Sequence, residues 1–385
     1  MRQSVWFLLM AVSGTSFGQT LKVESMANPT GAGSVQAGLS VTSDGRPLLS
    51  WVEPAKGGTF ALRYAIRQGA QWSEPRTVEV GRHFFRHPGE LPGVIALPGG
   101  SFVAHWIEMP NEADEAEFLY VSASRDGVKW SAPVMAHHDR GKGQHGLASM
   151  IASGDREASL FWLQALKGDD GPASLMRSVI SADGVEIKEE ILDPDVCQCC
   201  PTAVTKTSRG LLVAYRDHTP DQIRDISVTR FENGRWTSPK NVYPDKWQLN
   251  ACPTNAAQVH ARGEKAAVAW FTAEGSKPRV ELAFSADAGA TFGKPSVVST
   301  GQSYGYTSVV VDDAGGAFVS WLERADGGAR LLVRYVSQTG VAGPVTQIGT
   351  GSRKSLGYPR LALAGKDIWI AWNTESRVQS ARLTK

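Results

Sequence analysis

Val41-Thr42-Ser43-Asp44-Gly45-Arg46-Pro47-Leu48-Leu49-Ser50-Trp51 holds a strand end, a turn at Ser43-Asp44-Gly45, and a returning apolar run that stops on an aromatic residue. Such a run reads as a β-hairpin. The same figure recurs at Val94 to Trp106 around Gly99-Gly100. The closing aromatic then reappears at Trp162, Tyr215, Trp270, Trp321 and Trp372, so that successive markers lie 55, 56, 53, 55, 51 and 51 residues apart. Seven units of nearly constant length mean a repeat architecture. Each unit continues through a third strand, a Gly turn and a fourth strand that starts near a proline, as in Trp72-Ser73-Glu74-Pro75, Trp130-Ser131-Ala132-Pro133, Trp236-Thr237-Ser238-Pro239 and Phe292-Gly293-Lys294-Pro295. Four antiparallel strands per repeat build one propeller blade, and a proline is tolerated where the fourth strand forms the outer edge.

The fold class expected is therefore all-β: a seven-bladed β-propeller of four-stranded antiparallel blades. The last unit supplies only three strands before Lys385, while Leu21 to Met26 reads as a fourth strand without a unit of its own. The two should complete one blade and close the ring, leaving no open sheet edge.

Ahead of this domain, assigned to residues 19–385, Arg2 is followed by the apolar run Val5 to Val12 and then by Ser16-Phe17-Gly18. That pattern reads as a signal peptide over residues 1–18, so export to the periplasm or beyond is expected. No later stretch approaches the ~20 apolar residues of a spanning helix. Forty Lys and Arg against 38 Asp and Glu leave a net charge of +2 with no basic block, which offers nothing to nucleic acid or to a membrane surface.

The turns between third and fourth strands carry a family likeness. Ser285-Ala286-Asp287-Ala288-Gly289-Ala290-Thr291-Phe292 fits S-x-D-x-G-x-T-[WF] in full, and Ser124-Arg125-Asp126-Gly127-Val128-Lys129-Trp130 and Ser181-Ala182-Asp183-Gly184 are shortened forms. On these residues the chain resembles the sialidase-like, Asp-box (BNR repeat) propeller superfamily. The motif specifies a fold rather than an activity. The sialidases of that superfamily use three arginines, a Tyr–Glu nucleophile pair and an Asp acid/base, with the first arginine in an Arg-Ile-Pro string. Here Glu90-Leu91-Pro92 stands in the corresponding place without that arginine, and Tyr306, Tyr358 and Glu323 are only nominal counterparts of the pair.

Propeller chemistry gathers on the face where inner strands begin and second strands end. The strongest signal there is cysteine: all four occur in Cys197-Gln198-Cys199-Cys200-Pro201-Thr202 and Cys252-Pro253-Thr254, and the two Cys-Pro-Thr strings, 52 residues apart, open consecutive blades. Two readings stand side by side. An even cysteine count in an exported chain fits disulfides. Four soft sulfur ligands in one small volume fit copper or zinc, with His145 as an added nitrogen ligand. Arg216, Asp217, Arg224 and Asp225 form a second cluster, readable as an anion- or sugar-binding pocket or as loop-ordering ion pairs. Glu90, Trp247, Tyr306 and Tyr358 complete the candidate ligand-binding set. The function expected is a binding protein for a small-molecule, glycan or protein ligand on the cysteine face, the alternative being an exo-sialidase-type glycoside hydrolase.

Overall fold

The computed structural model describes residues 20–111, 116–165, 173–183 and 187–384. The leader assigned to residues 1–18, together with Gly184 and Lys385, lies outside the described residues. Seven antiparallel sheets follow one another along the chain. Their inner strands are Val35–Val41, Gly93–Ala96, Gln144–Ala152, Ala203–Thr207, Gln258–Arg262, Ser303–Val311 and Arg360–Ala364.

Every marker aromatic sits in a second strand with its ring in the core; Trp51, Trp106, Trp162, Tyr215 and Trp321 are fully buried. A buried indole needs an acceptor for its N–H. The chain supplies one locally: Trp51, Trp106 and Trp321 each donate Nε1–H to the glutamate two residues on, Glu53 at 2.7 Å, Glu108 at 3.0 Å and Glu323 at 3.1 Å. Because side chains alternate along a strand, residues i and i+2 share a face, which is why the spacing is two. Charge-assisted bonds of this kind contribute roughly 1.5–3 kcal/mol each.

Blades are stapled to one another by the aromatics that precede the fourth strands. Trp130 of blade two meets Tyr64 of blade one edge-on at 6.1 Å, Trp236 of blade four meets Phe161 of blade three at 5.7 Å, and Trp72 of blade one meets Trp369 of blade seven at 5.8 Å. The turn over Ser285–Phe292 is closed by its own side chains: Asp287 accepts from Thr291 N at 2.9 Å and Thr291 Oγ1 at 2.6 Å, while Ser285 Oγ accepts from Gly289 N at 2.9 Å. Gly289 has φ +82°, a conformation that costs glycine nothing.

The ring closes as expected. Lys22–Ser25 pairs antiparallel with Val378–Thr384, Val23 opposite Leu383 and Glu24 opposite Arg382, and becomes the outer strand of blade seven. Among the described residues no helix is long and apolar enough to cross a membrane.

Candidate functional site

The four cysteines meet at the entrances to blades four and five. Cys197 follows the outer strand of blade three, Ile187–Val196, and is held there by its N–H donating to Arg216 O at 3.1 Å. From that anchor the chain turns so that Cys197 Sγ lies 3.8 Å from Cys199 Sγ and 3.7 Å from Cys200 Sγ, with all three sulfurs within 4.8 Å of one another. Cys252, on the loop before the inner strand of blade five, brings its thiol within hydrogen-bonding reach of Cys199. Cys197 and Cys200 are buried, Cys199 is partly exposed and Cys252 is exposed, so the group opens on one side only.

Inside the group the sulfurs differ in charge. S–H donation from Cys199 and Cys200 pulls the Cys197 thiol well below its ordinary range, helped by the Arg216 guanidinium. Hydrogen bonding to Cys197 pushes Cys199 upward, and burial does the same to Cys200. A thiolate formed within the group is therefore centred on Cys197 and shared with its two neighbours.

Arg216 is the cation behind the cluster, but its fork faces protein rather than ligand. Its Nε, Nη1 and Nη2 donate to Asn255 O at 3.2 Å, Arg224 O at 2.6 Å and Phe271 O at 2.8 Å. Trp247 covers its face at 5.1 Å and meets Phe271 edge-on, so this indole packs rather than offering a stacking platform. Asp225 accepts the N–H groups of Lys246 and Trp247, and Asp217 accepts from His218 N and Ser227 Oγ. These four side chains therefore order the loops around the cysteines; no Arg–Asp ion pair is formed within the set among the described residues.

Cys199 and Cys252 line a cleft of about 920 Å³ whose walls also include His87, Glu90, Glu117, Asp195, His218 and Arg224, with Cys197 and Cys200 buried behind them. Of the expected ligand-binding residues, only Glu90 and Arg224 line it. Glu90 is 3% exposed, and its carboxylate accepts from Leu147 N at 2.8 Å across Gly146, where a Cβ would stand 2.6 Å from Glu90 Oε1. Burial, and then the charge of Glu117, push Glu90 well above the usual carboxylate range; burial pushes Glu117 up to about 7. Near neutral pH this pair holds a proton. Glu117 escapes the sequence reading because it ends the loop between second and third strands of blade two, just before Phe118–Ser124, whereas the marker aromatic points only to that loop's beginning.

Three expectations are corrected. His145 does not join the sulfurs: Nδ1 lies 2.9 Å from Glu117 O, Nε2 lies 3.0 Å from Asp139 Oδ2, and the ring stacks on His137 at 3.9 Å. Its strand neighbour Gln144 faces the cleft, so alternation turns His145 to the opposite side. Glu323 cannot partner Tyr306 or Tyr358 as a nucleophile pair, being bound to Trp321, Thr300 N, Gly301 N and Arg330. The rings of Tyr306 and Tyr358 meet at a tilt, 4.5 Å between centroids, behind the Cys252 loop, Tyr358 donating its hydroxyl to Thr254 O, and they support that loop without lining the cleft.

Three solved structures share this architecture. An α-L-arabinanase of Penicillium chrysogenum aligns with TM-score 0.51 at 12% identity over 94% of this chain and 98% of its own. An α-L-arabinofuranosidase of Fusarium graminearum aligns with TM-score 0.52 at 12% identity over 93% and 98%. A polysaccharide lyase aligns with TM-score 0.52 at 8% identity over 98% and 94%. The shared feature is the seven-bladed propeller fold. At such identities the likeness establishes the propeller and leaves its chemistry to its own residues. No protein-family model and no curated protein matches the sequence.

Proposed function

We propose that this propeller is an exported binding protein whose cleft carries a soft metal ion, monovalent copper or zinc, on Cys197, Cys199, Cys200 and Cys252. The observation that carries this reading is the sulfur spacing. A Zn–S bond of about 2.3 Å sets the edges of a sulfur tetrahedron at roughly 3.8 Å, and the two sulfur separations at Cys197 are 3.8 and 3.7 Å. A disulfide needs about 2.05 Å. Thiolate ligands also select soft cations over calcium or magnesium. Arg216 supports deprotonation, and the remaining thiol protons leave as metal binds, so affinity should fall as pH falls. A small-molecule, glycan or protein ligand would then enter the same cleft past Glu90 and Arg224.

The test is metal content of the purified mature chain, with thiols counted in parallel. One copper or zinc per chain is expected, with affinity lowered more than about a hundredfold in Cys197→Ser and Cys199→Ser, and less in the exposed Cys252→Ser. Two disulfides and no metal in the wild type would leave the cysteines as a structural staple.

A second reading, glycan cleavage, is favoured by one observation: the buried Glu90 and Glu117 carboxyls on the cleft wall. Glycosidases divide acid and base or nucleophile roles between two such groups, and the arabinan-cleaving enzymes of similar fold lend the substrate class. The sialidase variant lacks its first arginine and its Tyr–Glu pair. No robust turnover of a sialoside or arabinoside reporter is expected. Turnover abolished by Glu90→Gln and by Glu117→Gln, with metal content unchanged, would move the assignment to this reading.

A further inference from the structure

The seven inner strands surround an axial cavity of about 220 Å³, separate in its lining from the cysteine cleft. Its walls are serine and threonine hydroxyls, backbone and short apolar side chains, with His105, His260, Gln258 and Arg360; among the described residues no aspartate or glutamate lines it. Arg360, the first residue of the blade-seven inner strand, reaches past blade six and donates Nη1–H to Gln258 Oε1 of blade five at 2.9 Å. The Gln258 amide nitrogen donates to Ala257 O at 3.0 Å, which fixes its oxygen toward the arginine. Among the described residues Nε and Nη2 of Arg360 have no protein acceptor, and no carboxylate pairs with it.

That arrangement leaves a half-buried cation in the axial channel with a neutral amide as its one side-chain partner among the described residues. Burial lowers Arg360 only to about 10, so it stays protonated at neutral pH. His105 and His260 are each pushed down to about 4 by burial and remain neutral, leaving Arg360 as the charge of the cavity. A half-buried cation set among neutral groups, with no counter-charge of its own, is stabilised when an anion joins it. The Nε–Nη2 edge of a guanidinium is a planar two-donor fork that matches two oxygens of one oxyanion.

We propose that the axial channel is an anion site in which Arg360 holds a small oxyanion, such as phosphate, sulfate or a short carboxylate, through its Nε–Nη2 edge. Neither the cysteine cluster nor the cleft is involved, so the site stands or falls apart from the metal assignment.

The experiment is calorimetric titration of the full mature chain with sodium phosphate, sodium sulfate and sodium acetate at constant ionic strength. One saturable event per chain is expected for at least one of them. Phosphate or sulfate without acetate marks an inorganic tetrahedral anion; acetate marks a carboxylate. Arg360→Gln should weaken it at least about tenfold. Gln258→Glu should do the same by supplying a built-in counter-ion, and should melt no lower than the wild type, which separates loss of the site from loss of the fold. The proposal is overturned if the wild type binds none of the three saturably, or if binding survives in both variants.

Discussion

Arg216→Met should lower the unfolding free energy by roughly 3 kcal/mol or more, the largest single-residue effect expected in this protein. The side chain is 1% exposed and satisfies three carbonyls, those of Arg224 in its own blade and of Asn255 and Phe271 in the next. Methionine fills much of the volume and removes the desolvation cost of the charge, which offsets part of the loss. It cannot donate, however, so three buried acceptors are left unpaired at about 1 kcal/mol or more each. The second consequence is chemical. Without the cation, the shared thiolate on Cys197 loses a favourable charge and the loop carrying Cys197 loses its neighbour. Arg216→Lys keeps the charge yet reaches fewer carbonyls, so it should lose stability while preserving more of the thiolate. Denaturant melts give the first quantity, and the pH dependence of thiol alkylation gives the second. A Met variant with an unchanged unfolding midpoint would show that the three carbonyls find other donors.

The same contrast between an architecture that repeats and a site that does not explains what the sequence makes legible. Blades are written seven times, each with an aromatic that must be buried, so one ambiguous strand cannot mislead the count. The cysteine registry is likewise a property of the repeat: Cys200 and Cys252 stand at equivalent blade entrances, and their thiols do approach one group. What repetition conceals is which way a side chain points. His145 stands one residue beyond Gln144, and that single step moves it from the cleft to the space beside Trp162. Glu53, Glu108 and Glu323 read as rim carboxylates because they follow the markers, yet each is the acceptor of an indole N–H. Arg216 and Asp225 look like a ligand fork and its partner, but both are spent on backbone groups, Arg216 on the carbonyls of Arg224, Asn255 and Phe271 and Asp225 on the N–H groups of Lys246 and Trp247. Glu117 becomes visible only when both ends of a loop are placed on one cleft.

A chain beginning at Ala27, lacking the closing strand, should melt about 6 °C lower and self-associate. The strand Lys22–Ser25 contributes a four-residue ladder to Val378–Thr384. Leu21 joins the core cluster shared by blades six and seven, with Val23 packed against it, and Leu21 N donates to Thr346 Oγ1 at 2.9 Å. Burying Leu21 and part of Val23 is worth roughly 2–3 kcal/mol, and the ladder adds about 1 kcal/mol for each bond kept from water. A total near 5 kcal/mol corresponds to a shift of about 6 °C for a domain of this length. The exposed face of Val378–Thr384 would then present unpaired N–H and C=O groups, a template for a second chain. Glu24→Lys provides the contrast. The Glu24–Arg382 contact at 2.6 Å is a solvent-exposed ion pair, so reversing its charge should barely move the melting temperature and should leave the chain monodisperse. Scanning calorimetry and size-exclusion chromatography of both variants decide the matter. If the truncated chain melts with the wild type, closure rests on inter-blade packing such as Trp72 against Trp369 and not on the strand; if Glu24→Lys falls as far as the truncation, it is the ion pair, and not the ladder, that holds the ring shut.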